Sequence, residues 1–152
     1  MRDIKMNPTG FTKEYEIRWC DVDPNMHMRH TVIGDITDHI RGVYFEQHDI
    51  SFQKLREMMV GPVLLQYSVR FLREVMMYEK VLVEFQIKSL SRDLRKFRFY
   101  HRIYKMDGQI AAEVEVFGAW MDLVKRKITV PPDLVRGVLD HAPMADNFEW
   151  MD

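Results

Sequence analysis

A single cysteine, Cys20, leaves this 152-residue chain without a partner for an internal disulfide, so a packed core must hold the fold. Charge of one sign is lacking as well. Lys and Arg number 22 against 23 Asp and Glu, and a net charge of −1 exerts no general pull toward nucleic acid or an anionic membrane. No window approaches eighteen uninterrupted apolar residues, which excludes a membrane-spanning helix. The first segment, MRDIKMNPTGFTKEYEIR, has none of the apolar stretch that a signal peptide needs, so the expected location is the cytoplasm. Repeats, low-complexity segments and linkers are also missing.

What remains is 47% hydrophobic, too apolar at this net charge for a disordered chain. The length suits one domain over residues 1–152, enough to bury roughly 70% of the unfolded surface. Twelve methionines are unusually many, most of them expected as flexible core filler.

Residues 12–20 alternate, with Tyr15, Ile17 and Trp19 against Glu14, Glu16 and Arg18, and predict a half-buried strand. From 31 to 47 the period becomes helical: Val32, Ile36, Ile40 and Val43 mark one face, with Ile33 and Tyr44 beside it. Gly34 and Gly42 are poor helix formers there and predict close approach of another backbone. Ser51 suits the cap of a second short helix to Met58. Beyond Gly61-Pro62 come four alternating runs: Val63 to Phe71, Val81 to Ile87, Phe97 to Ile103, and 110–124. Asp107-Gly108 is the turn signal between the last two. Pro131-Pro132-Asp133 opens a short helix to Leu139, and the tail beyond His141 is expected to be weakly structured. The long helix would run about 25 Å, enough to cross a five-stranded sheet.

The densest chemistry lies between the first strand and that helix, in DVDPNMHMRH, residues 21–30. Asp21, Asp23, His27 and His30 fall within ten residues, just ahead of a helix N-terminus. A helix start offers unpaired backbone N–H groups and the positive end of a dipole, which together stabilise an oxyanion. A carboxylate beside it can attack a carbonyl or deprotonate water. The same aspartate could equally bind turn amides. His27 and His30 lack the spacing or thiolate partners of a zinc signature, so no metal and no other cofactor is expected. Cys20 ends a strand and is expected as a small buried hydrophobe; His39 reads as a packed core histidine and His101 as core or interface.

A strand, D-x-D-x-x-x-H, a long helix and four antiparallel strands together resemble the hot-dog-fold acyl-CoA thioesterases of the 4-hydroxybenzoyl-CoA thioesterase family. The likeness covers about residues 12–130 and includes Arg41, Tyr44 and Phe45 in the helix, Val69 to Phe71, and the Asp107-Gly108 turn. It implies an α+β hot-dog fold, a long central helix packed on a five-stranded antiparallel sheet. It also implies hydrolysis of an acyl-CoA or acyl carrier protein thioester, fatty or aryl, and a homodimer or dimer of dimers with its site at the interface.

Carried over by position, Asp23 matches the catalytic nucleophile or general base, Asp21 the supporting aspartate, and His27 the motif histidine. His30 matches the position whose backbone N–H faces the thioester oxygen. The departures are Met26 at the motif glycine, Arg29-His30 at an asparagine pair, and Ile33 at a frequent tyrosine. Arg92, Arg95 and Lys96 cluster at the turn joining the second and third long strands, where the resemblance implies contact with the phosphates of coenzyme A, a role arginine's fork of donors suits; a solvated hairpin turn accounts for the cluster equally well. Two other classes stay open: a non-catalytic acyl-thioester binding protein, and a hot-dog hydratase or dehydratase. For the latter the adjacent Asp38-His39 is poorly placed, because neighbours on a helix face different ways.

Overall fold

The computed structural model describes residues 6–151. Its elements are β1 (Phe11–Glu16), a 3-10 turn (Trp19–Asp21), α1 (His30–Gln47), α2 (Phe52–Glu57), β2 (Val60–Phe71), β3 (Lys80–Ser91), β4 (Lys96–Lys105), β5 (Ile110–Asp122), β6 (Lys127–Ile128), α3 (Asp133–His141) and β7 (Met144–Met151). The main sheet runs β1-β3-β4-β5-β2, antiparallel throughout, with β6 added to β5 and β7 to β3. This is the expected α+β hot-dog arrangement, a long helix on a five-strand path. No helix among the described residues is long and apolar enough to cross a membrane.

The helix sits where its pattern directs it. Val32, Ile33, Ile36, Ile40 and Tyr44 are buried along one stripe of α1. Tyr44 packs edge-on to Phe85 of β3 and Phe11 of β1, and Phe45 meets Trp120 of β5. Each such side chain contributes about 1.5–3 kcal/mol by leaving water. The helix ends without glycine: Asp49 takes the left-handed conformation at φ 65, Ile50 tucks into the core, and the Ser51 hydroxyl accepts the Lys54 N–H at 3.0 Å to start α2. Aspartate tolerates that φ better than most side chains.

Several local expectations change. β1 stops at Glu16, and the 3-10 turn leaves Trp19 75% exposed, because the chain turns before the alternation can bury it. Cys20, carried by the same turn, is exposed and not a buried hydrophobe. His39 is exposed beside the edge of the Tyr15 ring, whereas His101 is fully buried as expected. Gly34 and Gly42 admit aromatic side chains, Tyr67 and Phe52, in place of another backbone.

The tail forms β7, parallel to β3, with Ser89 Oγ donating to the Glu149 carbonyl at 2.6 Å. Its period is hidden because the register shifts between Ile87–Met144 and Ser89–Glu149, five steps along β7 against two along β3. β2 is an edge strand, and its apolar residues Leu64, Leu65, Tyr67 and Phe71 are 43–61% exposed. A bulge between Leu64 and Gln66 breaks its simple alternation.

Candidate active site

Residues 21–29 form a loop tied down at both ends. Asp21 is buried and its carboxylate takes the Arg18 backbone N–H at 2.9 Å and the Arg18 guanidinium at 3.0 Å through both oxygens. The hydrogen bonds from Arg18 hold the Asp21 carboxyl below its ordinary range. The Asp21 carbonyl accepts the Arg29 N–H at 2.9 Å, and Arg29 Nη1 reaches the Cys20 carbonyl at 2.6 Å. Asp21 and Arg29 therefore fasten the base of the loop.

Further along, the Asp23 N–H donates to the His27 carbonyl, and Asp23 Oδ1 accepts the Asn25 and His27 N–H groups at 2.9 and 3.3 Å. This is an Asx-type turn, not a helix cap. Among the described residues it leaves Asp23 Oδ2 with no hydrogen-bond donor. The Met28 N–H donates to the Val75 carbonyl at 2.7 Å, clamping the loop to the segment between β2 and β3.

Met26 occupies the position of the resembled motif's glycine and takes φ 66, the conformation glycine would supply freely. The loop keeps its shape and bears the strain in a methionine, about 1–2 kcal/mol for an L-residue. Met26→Gly is expected to raise stability by about 0.5–1 kcal/mol, since added freedom in the unfolded chain offsets part of the relief. Urea denaturation would read this as a higher midpoint; a lower midpoint would mean that the methionine side chain holds the loop.

Asp23, His27 and His30 line one cavity of about 380 Å³, together with Ile33, Phe71 and Val75. His27 Nε2 lies 3.2 Å from Glu74 Oε2. His30 is the first residue of α1, and the Val32 N–H already turns back to the Arg29 carbonyl at 3.1 Å. The His30 and Thr31 N–H groups ahead of it have no helical acceptor. Asp21 does not line this cavity; with Arg18 and Asp35 it lines a separate one. Among the described residues no three of His, Cys, Asp and Glu come together as a metal site.

The basic turn lies elsewhere. Arg92 stacks over the Trp150 ring at 4.9 Å, Arg95 pairs with Asp93 at 3.2 Å, and Lys96 opens β4 opposite Ala119. The Asp23 cavity touches β5 at Ala112, seven residues away along the strand, or about 23 Å. Within one chain, Arg92, Arg95 and Lys96 therefore stand at the opposite end of the sheet from Asp23.

Two features escape the sequence. Glu74 gave no signal because 47 residues separate it from His27. The other is a buried polar chain: Arg41 Nη1 contacts His101 Nε2 at 2.8 Å, Arg41 Nη2 pairs with Asp38, and His101 Nδ1 meets the Glu84 carbonyl at 3.1 Å. A charged residue within a helix that also carries a long apolar stripe is the only hint that could have pointed to it.

No curated protein matches the chain in sequence. Solved structures match its fold closely at low identity. Slr0204, a 1,4-dihydroxy-2-naphthoyl-CoA thioesterase from Synechocystis, superposes with a TM-score of 0.78 at 16% identity over 86% of this chain and 96% of its own. The protein SAV2348 from Staphylococcus aureus, solved in complex with CoA, gives 0.79 at 17% identity over 93% and 90%. A DHNA-CoA thioesterase from Staphylococcus aureus gives 0.71 at 16% over 78% of each chain. At such identities the likeness establishes the fold. The model of the Thioesterase-like superfamily matches residues 17–139, from the end of β1 through the loop, helix and sheet to α3. The chain belongs to that superfamily and is a thioester hydrolase.

Proposed function

We propose that the protein hydrolyses acyl-CoA thioesters, with Asp23 as the nucleophile or general base. The observation that carries this reading is the shared cavity of Asp23, His27 and His30, where one carboxylate oxygen is uncommitted beside a helix start. The thioester oxygen faces the free N–H groups of His30 and Thr31, which stabilise the charge that develops on it. Asp23 Oδ2 attacks the carbonyl carbon directly, or takes a proton from a water that does. The carbon–sulfur bond then breaks and coenzyme A leaves as its thiolate. His27, steadied by Glu74, is the group placed to give a proton to that sulfur and to recover one from the hydrolytic water, directly or by way of Asp23. If an acyl-aspartyl anhydride forms, water hydrolyses it and frees Asp23 and the acid.

The working unit is proposed to be a homodimer, with a dimer of dimers as its larger form. β2 presents an unpaired strand edge with exposed Leu65 and Phe71, and a second copy covers both by pairing along it. An antiparallel β2–β2 pair would bring the partner's basic turn to the same end of the joined sheet as Asp23. That would place Arg92, Arg95 and Lys96 to serve the CoA phosphates of the neighbouring site.

Thiol release from acyl-CoAs of graded length and from aryl-CoAs tests the proposal. The expected result is turnover of at least one series, with no hydration of an enoyl-CoA. Binding without thiol release across the whole panel would overturn it in favour of a non-catalytic acyl-thioester binder.

A further inference from the structure

A second cavity, of about 280 Å³, lies further along the same side of α1 and is walled mainly by apolar side chains, among them Phe45, Leu64, Phe97 and Trp120. Arg41 is the exception. Its side chain is only 11% exposed, and its contacts to His101 and Asp38 use two of the guanidinium's five N–H groups. Trp120 supplies ring surface to the wall; its indole N–H is itself buried away from solvent, without an acceptor among the described residues. The one acceptor at the rim, Asp38, is 62% exposed and already committed to Arg41. Arg41 is the one cation in this apolar lining, and none of its N–H groups is both buried and unpaired among the described residues, so the spare ones are open to an acceptor that enters the cavity.

The two cavities lie along one line. His30, Gly34, Asp38 and Arg41 succeed one another at helical spacing on one side of α1. β2 runs beside them in the opposite sense: Phe71 borders the Asp23 cavity, and Pro62 and Leu64 border the Arg41 cavity. Between them Tyr67 lies over Gly34, where a Cβ would meet its hydroxyl at 3.5 Å; it lines neither cavity, so one ligand spanning both must pass along or displace its ring. From His30 to Arg41 is eleven residues, about 16 Å along the helix. An extended methylene chain advances about 1.25 Å per C–C bond, so on the order of a dozen carbons bridge that span.

We propose that the trough between α1 and β2 selects acyl groups bearing a carboxylate at the end remote from the thioester, with Arg41 as its anchor. This rests on the reading that the thioester itself lies at Asp23. The carboxylate meets the unused N–H groups of Arg41, while Phe45, Leu64 and Phe97 receive the methylenes. A purely aliphatic chain would fill the same walls but leave the guanidinium without its acceptor. Charge-assisted pairing in so enclosed a place discriminates more strongly than added methylenes do.

The test is calorimetric binding of dodecanoyl-CoA and dodecanedioyl-CoA to the Asp23→Asn protein, so that no turnover is needed. The dioyl thioester is expected to bind at least tenfold more tightly, and Arg41→Met in that background to bring the ratio close to one. Should Arg41→Met fail to fold, Leu64→Glu at the half-exposed mouth sets a like charge against the carboxylate and is expected to reverse the preference. Equal affinities with Arg41 intact would overturn the proposal. So would an absent preference combined with a shift from dimer to monomer in Arg41→Met, which would assign the trough to a second copy of the chain. Thiol release by the parent protein is scored separately. Its absence would remove Asp23 chemistry while leaving the affinity ratio to judge Arg41.

Discussion

Asp23→Asn is expected to lower turnover of a CoA thioester by about 10²–10⁴-fold while leaving its binding nearly unchanged. The substitution is close to isosteric, and an asparagine Oδ1 still accepts the Asn25 and His27 N–H groups that shape the turn. What disappears is the uncommitted carboxylate oxygen, which an amide nitrogen can replace neither as nucleophile nor as base. The loss should therefore fall on kcat, because the missing interaction is made only as the reaction proceeds. Asp21→Asn gives the contrast. Its carboxylate is consumed by Arg18, so the change weakens the loop's foundation and shows first as lowered thermal stability. Full turnover by Asp23→Asn in steady-state thiol release would remove Asp23 from the chemistry.

The second large effect concerns stability in mild acid. His101 is fully buried, with Nδ1 toward the Glu84 carbonyl and Nε2 toward the Arg41 guanidinium. A carbonyl accepts and a guanidinium donates, so the ring satisfies both only when neutral, with its proton on Nδ1. Burial, reinforced by the positive charge of Arg41, holds its pKa well below the ordinary histidine value of 6.5. In the unfolded chain the same histidine takes up a proton near that value. Its contribution is therefore fully present above pH 6.5 and is lost as pH falls below it, because the unfolded state then binds the extra proton. The slope is about 1.4 kcal/mol per pH unit, so two units of acidification cost about 2–3 kcal/mol.

His101→Gln separates this residue from the rest of the protein. A glutamine can donate to Glu84 and accept from Arg41 without titrating, and the variant should unfold in urea with a flatter dependence between pH 6.5 and 4.5. An unchanged slope would mean that other groups carry the acid sensitivity. Asp21 and Glu115 act in a lower window. Hydrogen bonds from Arg18 depress the first; burial pushes the second up, but Lys88 and Arg98 together outweigh it and leave it depressed. Their contributions persist until pH falls through the carboxylate range.

Local pattern reaches some elements of this fold and not others. α1 was legible because five buried side chains recur at helical spacing, and β3, β4 and β5 because they alternate in a protected sheet interior. β7 was not, since its register against β3 slips and no period survives the slip. Trp19 and Cys20 continue an alternation past the point where the chain has already turned. His39 lies one step from the buried stripe, a difference of angle that spacing alone resolves poorly.

By itself the sequence determined the loop and what it carries. Asp23, His27 and His30 lie within eight residues, so the turn and the helix start that follow are local matters of hydrogen bonding and backbone conformation. Even the strain at Met26 was legible there as a departure from glycine. Which distant groups meet that loop depends on how the strands and helix pack. That packing brings Glu74 to His27 across 47 residues and His101 to Arg41 across 60, and it sends Arg92, Arg95 and Lys96 to the far end of the strands. The reason is physical: strand register and the seating of one helix set those distances, and neither is written in the spacing of the residues concerned.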